Sequence, residues 1–296
     1  MSAPSGIPAR TYPQGVPCWI DLEVDDVDAA LAFYGALCGW RFTEKLPPGA
    51  PGRYAVASWD GTDATAIAAI ASPSASGASR STWNTYLAVD DAAASAARVL
   101  GLGGTLDSVV EVVGPPEAPA GHLVRFRDPQ GVPSRLWQAG TRLGAQRVNE
   151  PGTWNFSNLL TDDQDAALAF YGPLLGWTVG ELGYGMVRVE GYGAHLAATV
   201  DPGILDRQEH VPAGFADVVA GIGPAEGAPR WALVLAVADR DAAAATAVDA
   251  GATLLATDDT EWTREATIRD PCGAELVLSQ FDPPEEYLAA EAAAEG

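Results

Sequence analysis

The stretch Pro17–Trp40, PCWIDLEVDDVDAALAFYGALCGW, decides the fold because it recurs as Trp154–Trp177, WNFSNLLTDDQDAALAFYGPLLGW. The two copies lie 137 positions apart (177 − 40) and share DAALAFYG and a closing Gly-Trp. A shared run of this length within one chain indicates duplication of a whole structural segment. The sequence therefore predicts two homologous halves.

Each copy has the pattern of a strand, a turn and a helix. In the first copy Ile20, Leu22 and Val24 alternate with polar or aromatic residues, as in a strand whose two faces meet different surroundings. Asp25-Asp26 then breaks the strand and supplies a capping carboxylate for an alanine-rich helix, and Gly39 stands where a helix C-terminal glycine belongs. We expect the helix to cover one face of a sheet and to leave the other face free.

Each half continues with about three strands and then repeats the strand–helix pattern, which ends in a hairpin. The hairpin turns are Asp128–Gly131 and Asp270–Gly273. The predicted fold class is α+β, a tandem duplication of paired βαβββ modules. The predicted segments are an N-terminal tail (1–14), a first domain (15–142), a linker (143–151), a second domain (152–282) and a C-terminal tail (283–296). The second half also carries an insertion, from about 191 to 217, which we interpret as a lid.

Composition restricts the partners of the chain. Lys and Arg total 17 against 39 Asp and Glu, a net charge of −22, and such a field repels phosphate backbones and anionic lipid. We therefore expect no nucleic-acid and no membrane partner. The same field would attract a cationic ligand at low ionic strength, but simple solubility is the preferred interpretation of the charge. No basic leader and no run of about 20 apolar residues is present, so the sequence predicts a soluble, cytoplasmic protein. Four modules favour a monomer, with a homodimer left open.

The motifs resemble one known superfamily. Phe33-Tyr34 followed by Gly39-Trp40, with a DPxG turn at Asp128 about ninety residues later, is similar to the vicinal oxygen chelate superfamily. This superfamily includes glyoxalase I, bleomycin-resistance proteins and extradiol dioxygenases. The resemblance is closest to its tandem-domain actinobacterial branch and covers roughly 15–140 and 152–282. It implies cupped, mixed sheets with the helices outside and a ligand cavity inside.

The resemblance also implies positions for a divalent metal ion held by His and Glu. Three of these positions can be assigned in each half. In the first half they carry Trp19, Asn84 and Arg135, and in the second half they carry, in the same order, Phe156, Ala232 and Val277. None of these is a His or carboxylate ligand of the kind that Zn, Fe or Mn requires. We therefore predict no metal site and no cofactor.

The side chains expected to face the two cups are the candidate ligand-binding residues. In the first cup they are Trp19, Asp21, Glu23, Asn84, Tyr86, Arg135 and Trp137. In the second they are Phe156 and Asn158 among smaller apolar side chains, and His195 belongs to the insertion beside it. Aromatic residues at former metal positions favour stacking of a planar ligand. Packing of these aromatic residues as plain core is the alternative.

The leading hypothesis is metal-independent binding of a hydrophobic aromatic small molecule, an antibiotic or a secondary-metabolite intermediate. Its role would be self-resistance by sequestration or that of a biosynthetic accessory protein. The alternative is a cofactor-free hydroxylase, cyclase or lyase with Asp21, Glu23 or His195 as general base. A scaffold with filled cups is a third reading. The sequence leaves open the ligand, the functional cup and whether chemistry occurs.

Overall fold

The computed structural model describes residues 8–73, 81–180, 185–208, 211, 213–285 and 287. Most of the predicted C-terminal tail therefore lies outside the described residues. The first module of the first half consists of β1 (Pro17–Glu23), α1 (Val27–Cys38), β2 (Arg41–Glu44), β3 (Tyr54–Ser58) and β4 (Ala66–Ala71). The second module consists of β5 (Thr82–Ala88), α2 (Ala92–Gly101), β6 (Thr105–Leu106), β7 (Glu111–Val113), β8 (Gly121–Arg127) and β9 (Pro133–Ala139).

The second half repeats this order. Its first module consists of β10 (Trp154–Leu160), α3 (Gln164–Leu175), β11 (Thr178–Val179), β12 (Met186–Arg188), α4 (Tyr192–Thr199), α5 (Ile204–Arg207) and β13 (Val218–Gly223). Its second module consists of β14 (Arg230–Ala236), α6 (Arg240–Asp249), β15 (Thr253–Asp259), β16 (Thr263–Arg269) and β17 (Glu275–Phe281). Helices α4 and α5 lie within the predicted insertion. The strands form two mixed β-sheets, so the predicted α+β class with repeated modules is confirmed.

The chain divides into two compact units, and each unit combines one module from each half. Unit one comprises Met1–Cys18, Tyr86–Gly144 and Thr161–Pro229, and unit two comprises Trp19–Thr85, Ala145–Leu160 and Arg230–Gly296. In unit two, β4 pairs with β1 and β3. Strand β14 pairs with β10 and β17, β17 pairs with β16, and β16 pairs with β15. In unit one, β9 joins β5 to β8, and β12 joins β11 to β13. Helix α1 packs on α6 in unit two, and α2 packs on α3 in unit one.

The described helices are short, and their ends follow the predicted signals. The side chains of Asp26 and Asp163 accept hydrogen bonds of 3.0 and 2.9 Å from the backbone N–H three residues on. Gly39 and Gly176 end α1 and α3 with φ of 70° and 79°, a conformation that costs a residue with a side chain about 1 kcal/mol or more. No helix in the described part of the chain is both long and apolar enough to cross a bilayer.

A buried aspartate in unit two joins the helix of one half to the hairpin turn of the other. The Tyr34 hydroxyl donates to Asp270 Oδ2 at 2.8 Å, and the Trp83 indole N–H donates to the same hydroxyl oxygen at 3.0 Å. The second carboxylate oxygen of Asp270 accepts the backbone N–H groups of Cys272 and Ala274. The aspartate of the DPxG motif therefore fixes both its own turn and helix α1.

Unit one contains the matching arrangement. The Tyr171 hydroxyl donates to Asp128 Oδ2 at 3.2 Å and lies 3.1 Å from Ser134 Oγ. Asp128 Oδ1 accepts the backbone N–H groups of Gln130 and Val132. Burial raises the pKa of Asp128 and likewise that of Asp270 in unit two, against the opposing effect of the hydrogen bonds that each carboxylate accepts. We assign both aspartates to the architecture, because every oxygen already has a partner.

The two repeated tryptophans that follow α1 and α3 also bind backbone from the other half. The Trp40 indole N–H donates to the Gly152 carbonyl in unit two, and the Trp177 indole N–H donates to the Gly15 carbonyl in unit one, both at 2.7 Å. A buried indole needs such an acceptor. The Gly-Trp of the duplicated stretch therefore ties together chain segments from the two halves within each unit.

Candidate functional site

Unit two has a strand face that its helix does not cover. Helix α6 packs against β15, β16 and β17, and the strand residues on that side are buried: Leu233, Leu235, Ala266, Ile268, Leu276 and Leu278. Successive side chains of a strand point to opposite faces. The opposite side carries Phe156, Asn158, Ala232, Thr267 and Val277, which we call the open face.

Strand register places these residues side by side. One row crosses four strands in the order Phe156, Val234, Val277 and Thr267, and Asn158 lies opposite Ala232 in a second row. Val234 at the centre is buried at 5% exposure, whereas the five open-face residues are partly exposed. An aromatic ring beside small apolar side chains, with an amide within the same surface, can hold a planar ligand and orient it.

A carboxylate lies beside the open face. Glu265 stands two residues before Thr267 on β16 and so points to the same side. Its Oε1 accepts hydrogen bonds from Thr263 Oγ1 at 3.0 Å and Ser279 Oγ at 3.3 Å, and Asp258 lies opposite it in register. The negative charge at this edge would attract a cationic group on a ligand.

Two of the first-half candidates in unit two, Trp19 and Asp21, are enclosed instead. Trp19 is 3% exposed and its indole N–H donates to the Tyr54 hydroxyl at 3.0 Å. Asp21 is 1% exposed and accepts a hydrogen bond of 2.9 Å from the Asn84 amide. Glu23, at the end of β1, is partly exposed. Of the predicted group, the structure thus joins Asp21 to Asn84 and makes Trp19 part of the core.

Three other candidates form a buried cluster in unit one. Arg135 donates to the Tyr86 hydroxyl at 2.6 Å, and its guanidinium lies 5.1 Å from the centre of the Tyr86 ring. Trp137 meets the same ring edge to face, and its indole N–H donates to the Arg142 carbonyl at 3.1 Å. All three predicted residues are at most 6% exposed. Their polar atoms are therefore engaged with one another or with backbone.

His195 lies on α4, within the insertion in unit one. Its Nε2 is 3.1 Å from Thr11 Oγ1 and 3.2 Å from the Thr11 carbonyl oxygen. The backbone N–H of Gly193 donates to Asp217 Oδ1 at 2.8 Å. The start of the insertion is thus attached to the N-terminal segment through His195 and to the end of the insertion through Asp217.

Each half of this chain matches one known protein family. Residues 18–135 match the glyoxalase/bleomycin resistance protein/dioxygenase superfamily, and residues 155–279 match the glyoxalase-like domain. A protein of Mycobacterium tuberculosis named "Putative glyoxylase CFP32" is 36% identical over 273 residues, covering 90% of this chain and 96% of that protein. The chain belongs to the glyoxalase/bleomycin resistance protein/dioxygenase superfamily. The resemblance inferred from the duplicated motif is confirmed.

Other members of the superfamily support the tandem arrangement. The anthracycline biosynthesis protein DnrV of Streptomyces peucetius is 30% identical over 278 residues, which cover 89% of this chain and 92% of that protein. The Mn(II)-bound glyoxalase from Novosphingobium aromaticivorans aligns with a TM-score of 0.58 at 18% identity, over 90% of this chain and 83% of that one. The 2,3-dioxygenase LapB from Pseudomonas sp. KL28 aligns with a TM-score of 0.56 at 14% identity, over 92% and 97%. At these identities the two structures show a shared fold alone.

The side chains at the assignable metal positions do not fit a metal ion. Three of them, Trp19, Asn84 and Arg135, present hydrogen-bond donors that are already used within the protein. The second-half residues at these positions, Phe156, Ala232 and Val277, have no ligating atom. Among the residues that the structure describes, no three His, Cys, Asp or Glu side chains are grouped so as to hold a metal. We derive no chemical step through a metal.

The structure adds open-face residues that the sequence analysis missed. Thr267 and Glu265 alternate with the buried Ala266 on β16. The period-2 pattern of this strand in the sequence could therefore have placed both residues on the open face. The decisive difference between the faces was not visible in the sequence. Trp19 is buried by its neighbours whereas Phe156, its counterpart in the repeat, is partly exposed.

Proposed function

We propose that this protein binds a planar, hydrophobic aromatic small molecule at the open face of unit two without the help of a metal ion. Its role would be sequestration in self-resistance or the handling of an intermediate as a biosynthetic accessory protein. The observation that carries this proposal is the partial exposure of Phe156, Ala232 and Val277 on one strand face, at positions where the superfamily's metal sites need ligating side chains.

The composition of the open face supports an aromatic ligand. The Phe156 ring offers a stacking surface, and Ala232 and Val277 on the same face add small apolar side chains against which a planar ligand can pack. Asn158 supplies an amide that can donate to or accept from a ring substituent. Burying apolar ligand surface here contributes roughly 25 cal/mol for each Å² removed from water.

Charge favours a ligand that carries a cationic group. Glu265 has one oxygen engaged by Thr263 and Ser279, and the exposed Asp258 lies opposite it. The chain as a whole has a net charge of −22, which adds long-range attraction at low ionic strength. An amino-sugar-bearing aromatic polyketide combines both required features.

The relatives support a role in secondary metabolism. DnrV, and also DauV of Streptomyces sp. strain C5 at 30% identity, carry anthracycline biosynthesis in their names. An anthracycline has a planar polycyclic core, which is the shape that a phenylalanine ring stacks on. We extend that ligand class to this chain as part of the proposal.

The test compares the affinity of Phe156 variants for an uncharged anthraquinone, measured by isothermal titration calorimetry. Phe156→Ala is expected to weaken binding by about tenfold or more, because a stacking partner worth about 1.5 kcal/mol is lost. Phe156→Trp should retain binding since it keeps an aromatic surface. Phe156→Leu should fall between the two because it keeps apolar area and loses the ring.

A matched control removes a different phenylalanine ring in the same unit. Phe42 is also partly exposed, but its ring lies toward Gly35 of α1. The Phe42 Cε2 atom is 3.7 Å from the position that a Cβ would occupy at Gly35. Phe42→Ala should therefore leave the affinity unchanged. Equal losses in both variants, or none in Phe156→Ala, would reject the open face. Recovery of a chemically altered ligand would instead favour the alternative, a cofactor-free enzyme of the same pathway class.

A further inference from the structure

A cation for which no partner is found among the described residues lies in unit one, on a strand that the proposed function does not use. Arg188 ends β12 and lies in register with Thr178 of β11 and Val218 of β13. Its side chain alternates with the buried Val187, so it projects from the face opposite the core. The residue as a whole is partly exposed.

The guanidinium group lies close to the backbone of two glycines. Its Nε is buried and has no hydrogen-bond partner among the described residues, and no ion pair with a described carboxylate involves this arginine. Two glycines allow its approach: a Cβ at Gly180 would lie 2.5 Å from Nη2, and one at Gly214 would lie 2.4 Å from Nη1. A side chain at either position would force the guanidinium to move.

The equivalent strand position of the first half carries no arginine. Arg188 lies opposite Thr178 in the strand register. In the first half, the residue opposite Arg41, which is the counterpart of Thr178, is Ser58. Ser58 is 1% exposed, and its Oγ accepts the backbone N–H of Gly61 in a short turn. The second half has replaced this small turn-binding side chain by a cation and has lengthened the connection into the insertion that holds α4 and α5.

An unpaired cation with buried atoms is energetically unfavourable, and such departures from self-consistent folding concentrate at functional sites. We propose that the guanidinium of Arg188 binds the carboxylate of a small-molecule ligand. Its buried Nε leaves Nη1 and Nη2 as the two donors, and this edge matches the two oxygens of a carboxylate in a bidentate pair. Gly214 stands near the end of the insertion and forms one wall of this site.

The site is tested with benzoate and its neutral counterpart benzamide, by NMR of protein labelled with ¹⁵N-arginine. The Nε–H signal of Arg188, assigned by its loss in Arg188→Lys, should shift saturably with benzoate. The dissociation constant should be at least tenfold lower for benzoate than for benzamide. Calorimetry with benzoate should show at least a tenfold weaker affinity for Arg188→Lys, which keeps the charge but loses the fork.

Arg41 is the matched control, because it is exposed and occupies the equivalent strand pair in the first half. Arg41→Lys should leave benzoate binding unchanged. An absent or unsaturable shift of Arg188, an equal response to benzamide, or an equal loss in Arg41→Lys would overturn the proposal. The uncharged anthraquinone that tests the Phe156 variants has no carboxylate, so its binding does not depend on the carboxylate site proposed at Arg188. Either proposal can therefore fail while the other stands.

Discussion

Replacing Asp270 by Ala is expected to lower the free energy of unfolding by about 3 to 5 kcal/mol. Asp270 is 4% exposed, and its carboxylate accepts hydrogen bonds from the Tyr34 hydroxyl and from two backbone N–H groups of its turn. Alanine would leave three donors in a buried environment without an acceptor. Urea unfolding followed by circular dichroism measures the loss, and Asp128→Ala should reproduce it in unit one.

One control separates this network from a general effect of removing charge. Asp249→Ala removes an exposed carboxylate at the end of α6 and should change the stability by less than about 0.5 kcal/mol. A comparable loss in this variant would contradict the assigned role of Asp270.

The pH dependence gives an independent check. Burial raises the pKa of Asp270, so the native state keeps this proton at a pH where the unfolded state, with a pKa of about 3.9, has lost it. The contribution of this group to stability is therefore largest below the unfolded pKa and falls as the pH rises through the folded pKa. Asp270→Asn cannot titrate, so the stability advantage of the wild type over this variant should shrink as the pH rises. A constant or growing advantage would contradict the raised pKa.

Replacing Gly15 by Ala is expected to destabilise the protein by about 3 kcal/mol or more. Gly15 has φ of +86°, and a Cβ there would lie 2.1 Å from the Leu175 carbonyl oxygen, which belongs to backbone and cannot rotate away. The left-handed conformation costs alanine about 1–2 kcal/mol, and the forced displacement costs about 1–3 kcal/mol more. The shift would also disturb the hydrogen bond from Trp177 to the Gly15 carbonyl.

The repeat provides the control for this experiment. Gly152 is the counterpart of Gly15 and has φ of +84°, but a Cβ there would lie 3.2 Å from the Cys38 carbonyl oxygen. Gly152→Ala should therefore incur mainly the backbone cost of about 1–2 kcal/mol. Thermal and urea unfolding of the two variants side by side measures the difference. Equal destabilisation would show that the close approach at Gly15 contributes nothing.

Local sequence signals were sufficient for the elements of the fold. The capping carboxylates of Asp26 and Asp163 and the left-handed Gly39 and Gly176 occur where the repeat predicts them. These features depend on residues within one helical turn of each other, so their chemistry can be read from spacing alone.

The partners that build the site depend on longer-range packing and could not be predicted. Tyr34 and Asp270 are 236 positions apart and come from different halves, and no spacing indicates that they meet. The hydrogen bond from Trp19 to Tyr54 likewise made a predicted ligand residue part of the core. The isolation of Arg188 depends on every neighbouring element, and a sequence alone does not reveal it.

The central claim is that the open face binds an aromatic ligand without a metal ion and returns it unchanged. The most direct test is a calorimetric titration of the chelator-treated protein with an amino-sugar-bearing anthracycline, followed by recovery of the ligand for mass spectrometry. We expect saturable binding of equal affinity before and after addition of Mn²⁺ or Zn²⁺, and a ligand of unchanged mass. Binding that appears only after a metal ion is added would contradict the account.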